Sequence, residues 1–374
     1  MLEGRAASHG AARALLLALL LVVLAGAAGG YLWLAQQYQA AGPGGSVQRL
    51  QVEPGASLRS VLNQLQKGGS LRSARALEWY LRLHGLNPRV QAGVYDIAVH
   101  ASPAQILEQF AEGRVVLEQL TVVEGATFAD LLSELAQQPQ VAHTLSGKTP
   151  AQIMAILGHP GQAAEGEFFP DTYRFAAQTS DLSILALAYD SMQRALEAAW
   201  RERDANLPFA SPYQLLILAS IVEKEAALKS ERALIAGVFI NRLRKGMRLQ
   251  SDPTVIYGLG GDYDGTIHTR DLQRDTPYNT YTRDGLPPTP VALPGRESLL
   301  ATVHPAKTPA LYFVATGLND GAHHFSSTLE EHNAAVQTYL ARLRNPPHAP
   351  PKAIPAAAPA NTSAPQAGSG HGQP

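Results

Sequence analysis

Between Ala14 and Ala35 the chain carries no charged side chain, and Leu15-Leu16-Leu17-Ala18-Leu19-Leu20-Leu21-Val22-Val23-Leu24 is aliphatic throughout. At ~1.5 Å of helix per residue the stretch covers the ~30 Å hydrocarbon layer of a bilayer, and Tyr31 and Trp33 fall where aromatic residues favour the far interface. Arg5 and Arg13 precede the run and bias the N-terminus toward the cytoplasm, with Glu3 weakening that bias. A cleaved signal peptide is the competing reading, with Ala25-Gly26-Ala27 as the small-residue site. The apolar sequence resumes through Tyr31-Leu32-Trp33-Leu34, which is long for a signal peptide, so an anchor over 14–35 is expected. On either reading the bulk of the chain is exported.

The chain is long enough for two folded domains, or for one domain with a large appendage. Of its 374 residues, 45% are hydrophobic and 16% charged, which suits a packed core rather than wholesale disorder. A formal charge of −1 supplies no basic field for nucleic acid. The lack of cysteine excludes disulfides, thiol nucleophiles and cysteine-ligated metals. Ala41 to Ser46, rich in Gly and Pro, reads as a flexible spacer within a 36–46 linker.

An internal repeat follows. Gly55-Ala56-Ser57-Leu58 with Val61, Leu62 and Leu65 recurs as Gly125-Ala126-Thr127-Phe128 with Leu131, Leu132 and Leu135. In each copy a Val-rich strand (47–52; 115–123) meets a Gly turn, Ser57 or Thr127 caps a helix, and apolar residues follow at helical spacing. Gln91 to Ile97 reads as a further strand and Ser102 to Phe110 as a further capped helix. Residues 47–148 are therefore expected to form small α+β modules, similar in size and pattern to LysM carbohydrate-binding modules; a plain structural spacer is the alternative. From 149 to 344 long helical stretches alternate with loops dense in Pro, Gly, Tyr, Asn and Asp, the setting for a mixed α/β catalytic domain. Residues 345–374 are Pro/Ala-rich, too poor in large apolar residues to pack, and are expected to be a disordered tail.

Ser211-Pro212-Tyr213-Gln214 carries the signals of a helix start: cap, Pro at the first position, and Gln to close a capping box. The helix runs through Leu215 to Ala226, apolar around most of its circumference, with Glu223 near its end on the stripe of Leu216 and Ala219. Small or apolar neighbours would raise the pKa of this carboxyl and suit it to general acid work. The plainer alternative is a residue emerging to solvent and paired with an arginine.

The blocks around it resemble the endolytic murein transglycosylases, the YceG-like or MltG family. They are Glu165-Gly166-Glu167-Phe168-Phe169-Pro170-Asp171-Thr172-Tyr173-Arg174-Phe175, Ala219-Ser220-Ile221-Val222-Glu223-Lys224-Glu225 and Val238-Phe239-Ile240-Asn241-Arg242-Leu243, then Gly246 through Tyr257, Tyr278-Asn279-Thr280-Tyr281, Gly285-Leu286-Pro287-Pro288, His304-Pro305-Ala306 and His323-His324-Phe325-Ser326 with Glu331-His332-Asn333. They keep family order over most of 45–344. The resemblance implies a transmembrane anchor, a LysM-like module and a catalytic domain whose essential glutamate matches Glu223. It also implies cleavage of the β-1,4 bond between N-acetylmuramic acid and N-acetylglucosamine with a 1,6-anhydro product, without cofactor. Peptidoglycan glycan strands would be the substrate and peptidoglycan synthases the partners, in the inner membrane with the catalytic domain periplasmic.

Tyr173, Tyr278, Tyr281 and Phe325 are candidates to pack on sugar faces, and Asn241, Gln250, Asn279 and His323 to bond sugar hydroxyl and N-acetyl groups. Asp252 and Glu167 complete the set, Asp252 before Pro253 also fitting a turn and Glu167 a second acid or a structural hydrogen bond. Each taken singly fits a structural role equally well. Two other functions compete: a non-catalytic peptidoglycan-binding scaffold, and a metal-dependent hydrolase using His304, His323, His324 and His332, whose spacing matches no helical ligand pair.

Overall fold

A computed structural model describes residues 4–344. The expected disordered tail lies outside the described residues. Helix α1 (Gly4–Gln39) contains the apolar run, and its Arg13–Gln39 part is long and apolar enough to cross a membrane. It passes the expected end at 35 without a break.

The first repeat is a strand–helix–helix–strand unit. Strand β1 (Gln48–Val52), α2 (Leu58–Lys67) and α3 (Ala74–Leu83) lead to β2 (Gly93–Ile97), which pairs antiparallel with β1 so that Leu50 faces Tyr95. Helix α4 (Pro103–Ala111) closes it, started by a reciprocal capping box between Ser102 and Gln105. Tyr95, Phe110, Leu62, Leu65 and Ile97 fill one core, with Tyr95 and Phe110 edge to face. The stretch expected as a flexible spacer is tied to this unit: Gly42 N–H donates to His100 O and His100 N–H to Gly44 O. At Gly42 any Cβ would meet the carbonyls of Ala101 and Ser70, so here glycine serves close packing rather than freedom.

The second copy has the same order on a larger scale. Strand β3 (Leu117–Thr121), α5 (Phe128–Ala136) and α6 (Pro150–Ile156) lead to β4 (Thr172–Ala176), antiparallel to β3 with Leu120 opposite Tyr173. Thr127 caps α5 as expected, here in a box with Asp130. The core of this copy does not stop at residue 148. Phe128, Leu131 and Leu135 pack with Ile153, Met154, Phe168, Phe175, Leu185 and Leu293, because β3 finds its strand partner, β4, well beyond that point.

Helices α7 (Asp181–Glu202), α8 (Pro212–Glu225), α9 (Arg232–Arg244), α10 (Asp252–Leu259), α11 (Thr269–Gln273) and α12 (Arg296–Val303) complete the compact unit that ends at Thr308. Eight consecutive residues of α8, Leu215 to Val222, are buried, so α8 is the central helix, packed by α7, α9, α10 and α12. A second unit begins at Pro309: strands β5 (Tyr312–Ala315) and β6 (His323–Ser326) form an antiparallel hairpin, followed by α13 (Leu329–Arg344).

A fragment of residues 47–148 should therefore split in behaviour. Hydrogen exchange should show protection across 48–110, which carry their own core, and none across 117–136, which lack β4; equal protection in both would contradict the shared second core.

Candidate active site

Helix α8 begins as expected at Pro212 with the Ser211 hydroxyl accepting from Gln214 N–H. The reciprocal arm of the box reaches one residue further back: Gln214 Oε1 accepts from Ala210 N–H at 2.7 Å. Three residues apart on one face of this helix stand Ser220 and Glu223, and the extended segment Val291–Gly295 runs along that face. Val291 N–H donates to Ser220 Oγ at 3.0 Å, and Gly295 N–H to Glu223 Oε2 at 2.9 Å. Between them Leu293 exchanges two backbone bonds with the turn of the second repeat, Gly125 N–H to Leu293 O and Leu293 N–H to Ala126 O.

That turn is one wall of the site. Gly125 has φ +78°, and a Cβ there would lie 3.7 Å from Glu223 Cγ; Lys224 Nζ donates to its carbonyl at 3.1 Å. The corresponding Gly55 of the first repeat shares φ +78° and has nothing nearby.

Arg232, the first residue of α9, closes the other side. Its Nη2 donates to Glu223 Oε1 at 2.7 Å and lies 3.5 Å from Glu124 Oε2, so one guanidinium faces two carboxylates. The Glu223 side chain is 4% exposed and that of Arg232 7%, and Arg232 Nε and Nη1 are buried without a hydrogen-bond partner. The expectation of purely small or apolar neighbours is thus corrected: helical spacing placed Ala219 and Leu216 beside Glu223, but the chain brings a cation and an N–H donor from elsewhere. The alternative of an arginine pair at the helix end holds in its chemistry and fails in its exposure.

Two further carboxyls in the same unit are held away from water. Glu225 accepts from Ser251 Oγ at 2.6 Å, and burial pushes its pKa up to about 7. Glu165 accepts from Phe128 N–H at the start of α5 and from Tyr257 OH at 3.1 Å; burial outweighs these bonds and raises it to about 7 as well. Sequence reasoning singled out neither, although both stand in quoted blocks, each two residues from a carboxylate that was singled out.

The other predicted residues separate into groups. Gln250, Asp252, Asn279 and Tyr281 come together beside Glu225. Tyr281 OH donates to Asp252 Oδ1 at 2.6 Å, Gln250 N–H donates to Thr280 O, and Tyr281 N–H donates to Asn279 Oδ1. Asn279 is 1% exposed, its amide spent on the carbonyls of Asp271, Leu272 and Arg274. Tyr278 bonds Thr289 Oγ1 and meets the edge of Tyr257. Tyr173 is corrected as a sugar platform: it is buried in β4, its hydroxyl donating to Phe169 O, and leaves no open ring face. Glu167 is buried, bonded to Gln193 of α7, and raised in pKa by burial. Asn241 donates to Thr308 O at 2.8 Å. His323 and Phe325 lie on β6 in the second unit, both against Phe313. His304 Nδ1 is 2.7 Å from Asp204 Oδ1, and among the described residues no three His, Asp or Glu are grouped to hold a metal ion.

The comparisons with known proteins bear on this geometry. The YceG-like family pattern matches residues 50–338. A Bacillus subtilis (strain 168) protein named endolytic murein transglycosylase is 32% identical over 313 residues, 78% of this chain and 84% of that one. A Streptococcus pneumoniae protein of the same name is 26% identical over 322 residues, 77% of this chain and 58% of its own length. The crystal structure of a YceG-like protein from Listeria monocytogenes aligns with a TM-score of 0.50 and 29% identity, over 77% of this chain and 99% of that one.

Two outcomes follow from the buried charges. Arg232→Met leaves Glu223 buried without its cation and should cost about 3–5 kcal/mol in urea unfolding, with part regained when Glu223→Gln is added. Glu165 and Glu225 hold their protons to about pH 7 when folded, against a usual value of 4.5. Their contribution is complete below that usual value and is lost as pH rises to about 7, on the order of 3 kcal/mol for each carboxyl. Urea unfolding midpoints should fall across that window in the wild type and be flatter in the Glu165→Gln, Glu225→Gln double variant.

Proposed function

The chain belongs to the YceG-like family, and from that premise we propose that it is a peptidoglycan lytic transglycosylase in which Glu223 acts first as acid and then as base. The observation that carries the reading is a single carboxylate, buried and fixed at both oxygens at the end of a central helix, in a chain similar over most of its length to proteins named endolytic murein transglycosylase.

One carboxylate suffices when the nucleophile belongs to the substrate. Ordinary glycosidases need a second group to attack the anomeric carbon or activate water. Here the 6-hydroxyl of the N-acetylmuramic acid ring attacks, already tethered to that carbon, and positioning replaces the second group. Glu223 protonates the glycosidic oxygen, the C1–O bond breaks, and the resulting carboxylate takes the proton from the 6-hydroxyl as the 1,6-anhydro bond forms. Substrate oxygens reach Glu223 by taking the place filled by Gly295 N–H, and Arg232 remains to steady the carboxylate between the two steps. The turn at Gly125 and the crossing segment help keep water, the competing nucleophile, from this point.

Gln250 and Asp252, which are exposed, and Tyr278 and Tyr281, which are half-buried, are the best placed of the predicted binding residues to meet sugar. His323 and Phe325 are candidates on the second unit. The two strand–helix–helix–strand repeats support a LysM-like reading, with the first copy free to hold glycan. α1 anchors the chain, N-terminus inside, in the inner membrane, with the enzyme periplasmic and peptidoglycan synthases as neighbours in cell-wall biogenesis, where cleavage within strands sets their length.

Mass spectrometry of muropeptides released from sacculi by the full-length protein in detergent, with Glu223→Gln alongside, tests the reading. Products ending in 1,6-anhydro-N-acetylmuramic acid are expected from the wild type and fall by at least a hundredfold in the variant. Reducing ends would mean hydrolysis, and binding without any product from the wild type would favour the scaffold.

A further inference from the structure

We propose that the C-terminal tip of α3, with Leu83 and Leu86 at its end and Trp79 and Arg82 just behind, rests on the surface of the lipid bilayer that α1 crosses. This rests on reading α1 as a membrane anchor.

The two helices are joined by stacked rings. Tyr38 stacks on Tyr80 with centroids 4.2 Å apart, and Tyr31 on His84 at 5.8 Å, with the Tyr31 hydroxyl 3.3 Å from His84 Nε2. Going back along α1 from Tyr38 to Tyr31 corresponds to going forward along α3 from Tyr80 to His84, so the helices run antiparallel. Each step toward the end of α3 is a step toward the membrane. If the hydrocarbon layer begins near Ala14, ~30 Å of helix ends close to Trp33. Tyr31 then lies at the edge of that layer, and whatever touches Tyr31 lies at headgroup depth.

What lies there is apolar and basic. Ala74, Leu77 and Leu81 face the core of the first repeat. The opposite stripe presents Arg75, Trp79, Arg82 and Leu83, with Trp79 52% and Leu83 60% exposed. Beyond the helix, Gly85 at φ +62° turns the chain and Leu86 N–H returns to Leu81 O, which holds Leu86, 49% exposed, at the tip. The Arg82 guanidinium lies over the Trp79 ring at 6.0 Å. The acidic residue of α3, Glu78, is matched by Arg59, leaving Arg82 exposed at the tip and Arg89 exposed in the loop beyond it. Large apolar side chains beside Trp and Arg are the composition of an interfacial contact with anionic lipid. Held by α1 and by this tip, the first repeat cannot swivel about its anchor, and the chain presents its site at one height above the membrane.

The chain has three tryptophans, Trp33, Trp79 and Trp200. Full-length variants keeping one of them, the others changed to Phe, and a Leu86→Trp variant lacking all three, are reconstituted in vesicles of phosphatidylethanolamine and phosphatidylglycerol whose acyl chains are brominated near the headgroup. Fluorescence from Trp79 and from Leu86→Trp should be quenched severalfold more than that of Trp200, and more strongly as the anionic fraction rises. Quenching of Trp33 while both tip probes match Trp200 would overturn the tip contact and leave the anchor standing. No quenching of Trp33 would remove both. Tip fluorescence that follows protein density in the vesicle and not bromination would assign the face to a second copy and overturn the lipid contact.

Discussion

The contact on which the site depends is the passage of Val291–Gly295 across α8. This segment gives one N–H to Ser220, exchanges two bonds with the Gly125 turn, and gives another N–H to Glu223. Two distant parts of the sequence are thereby fixed to one helix face. A buried ion pair is a poor source of stability, because taking both charges from water costs about what their attraction returns. Arg232 and Glu223 are tolerable where they are because Gly295 supplies a further donor and the helix below is packed on every side. The pair is better understood as fixing the geometry of the carboxylate than as holding the fold together.

The local parts of this arrangement were legible in the sequence. Ser57, Ser102, Thr127 and Ser211 all cap the helices expected of them, since a cap is decided within four residues. The repeat was legible for the same reason, down to its Gly turns. The β4 strand that completes the second copy was not, because strand pairing over some fifty residues leaves no mark in a local window. Arg232 and Gly295 escaped likewise, each reaching Glu223 through the fold and not through spacing. Tyr173 is different: in Thr172-Tyr173-Arg174-Phe175 exposed and buried residues alternate, and that period already pointed its ring inward.

The two copies of the repeat show how one unit serves two ends. Both present a glycine at φ +78° where the first strand meets the first helix. In the first copy that turn stands free, and the unit's commitments are to α1 through Tyr38, Tyr80 and His84. In the second copy the same turn is pressed against Glu223, with the flanking Glu124 beside Arg232. Pro54 holds the position in the first copy that Glu124 holds in the second, counting from the glycine. A change of one side chain at a preformed turn is therefore enough to add charge to a site that another part of the chain supplies.

This arrangement bears on why so few groups are needed. An attacking hydroxyl tethered to its own ring requires little activation and much exclusion of water. On the proposed reading the structure invests accordingly: one carboxylate held by a guanidinium and walled by two backbone segments. Glu165 and Glu225, kept protonated up to about pH 7 by burial, add no further charge to that region below that pH. Those two carboxyls are kept neutral by burial, while Glu223 faces a guanidinium. The field at Glu223 is therefore set by the Glu223, Arg232 and Glu124 group and not by the sum of the acids in this unit.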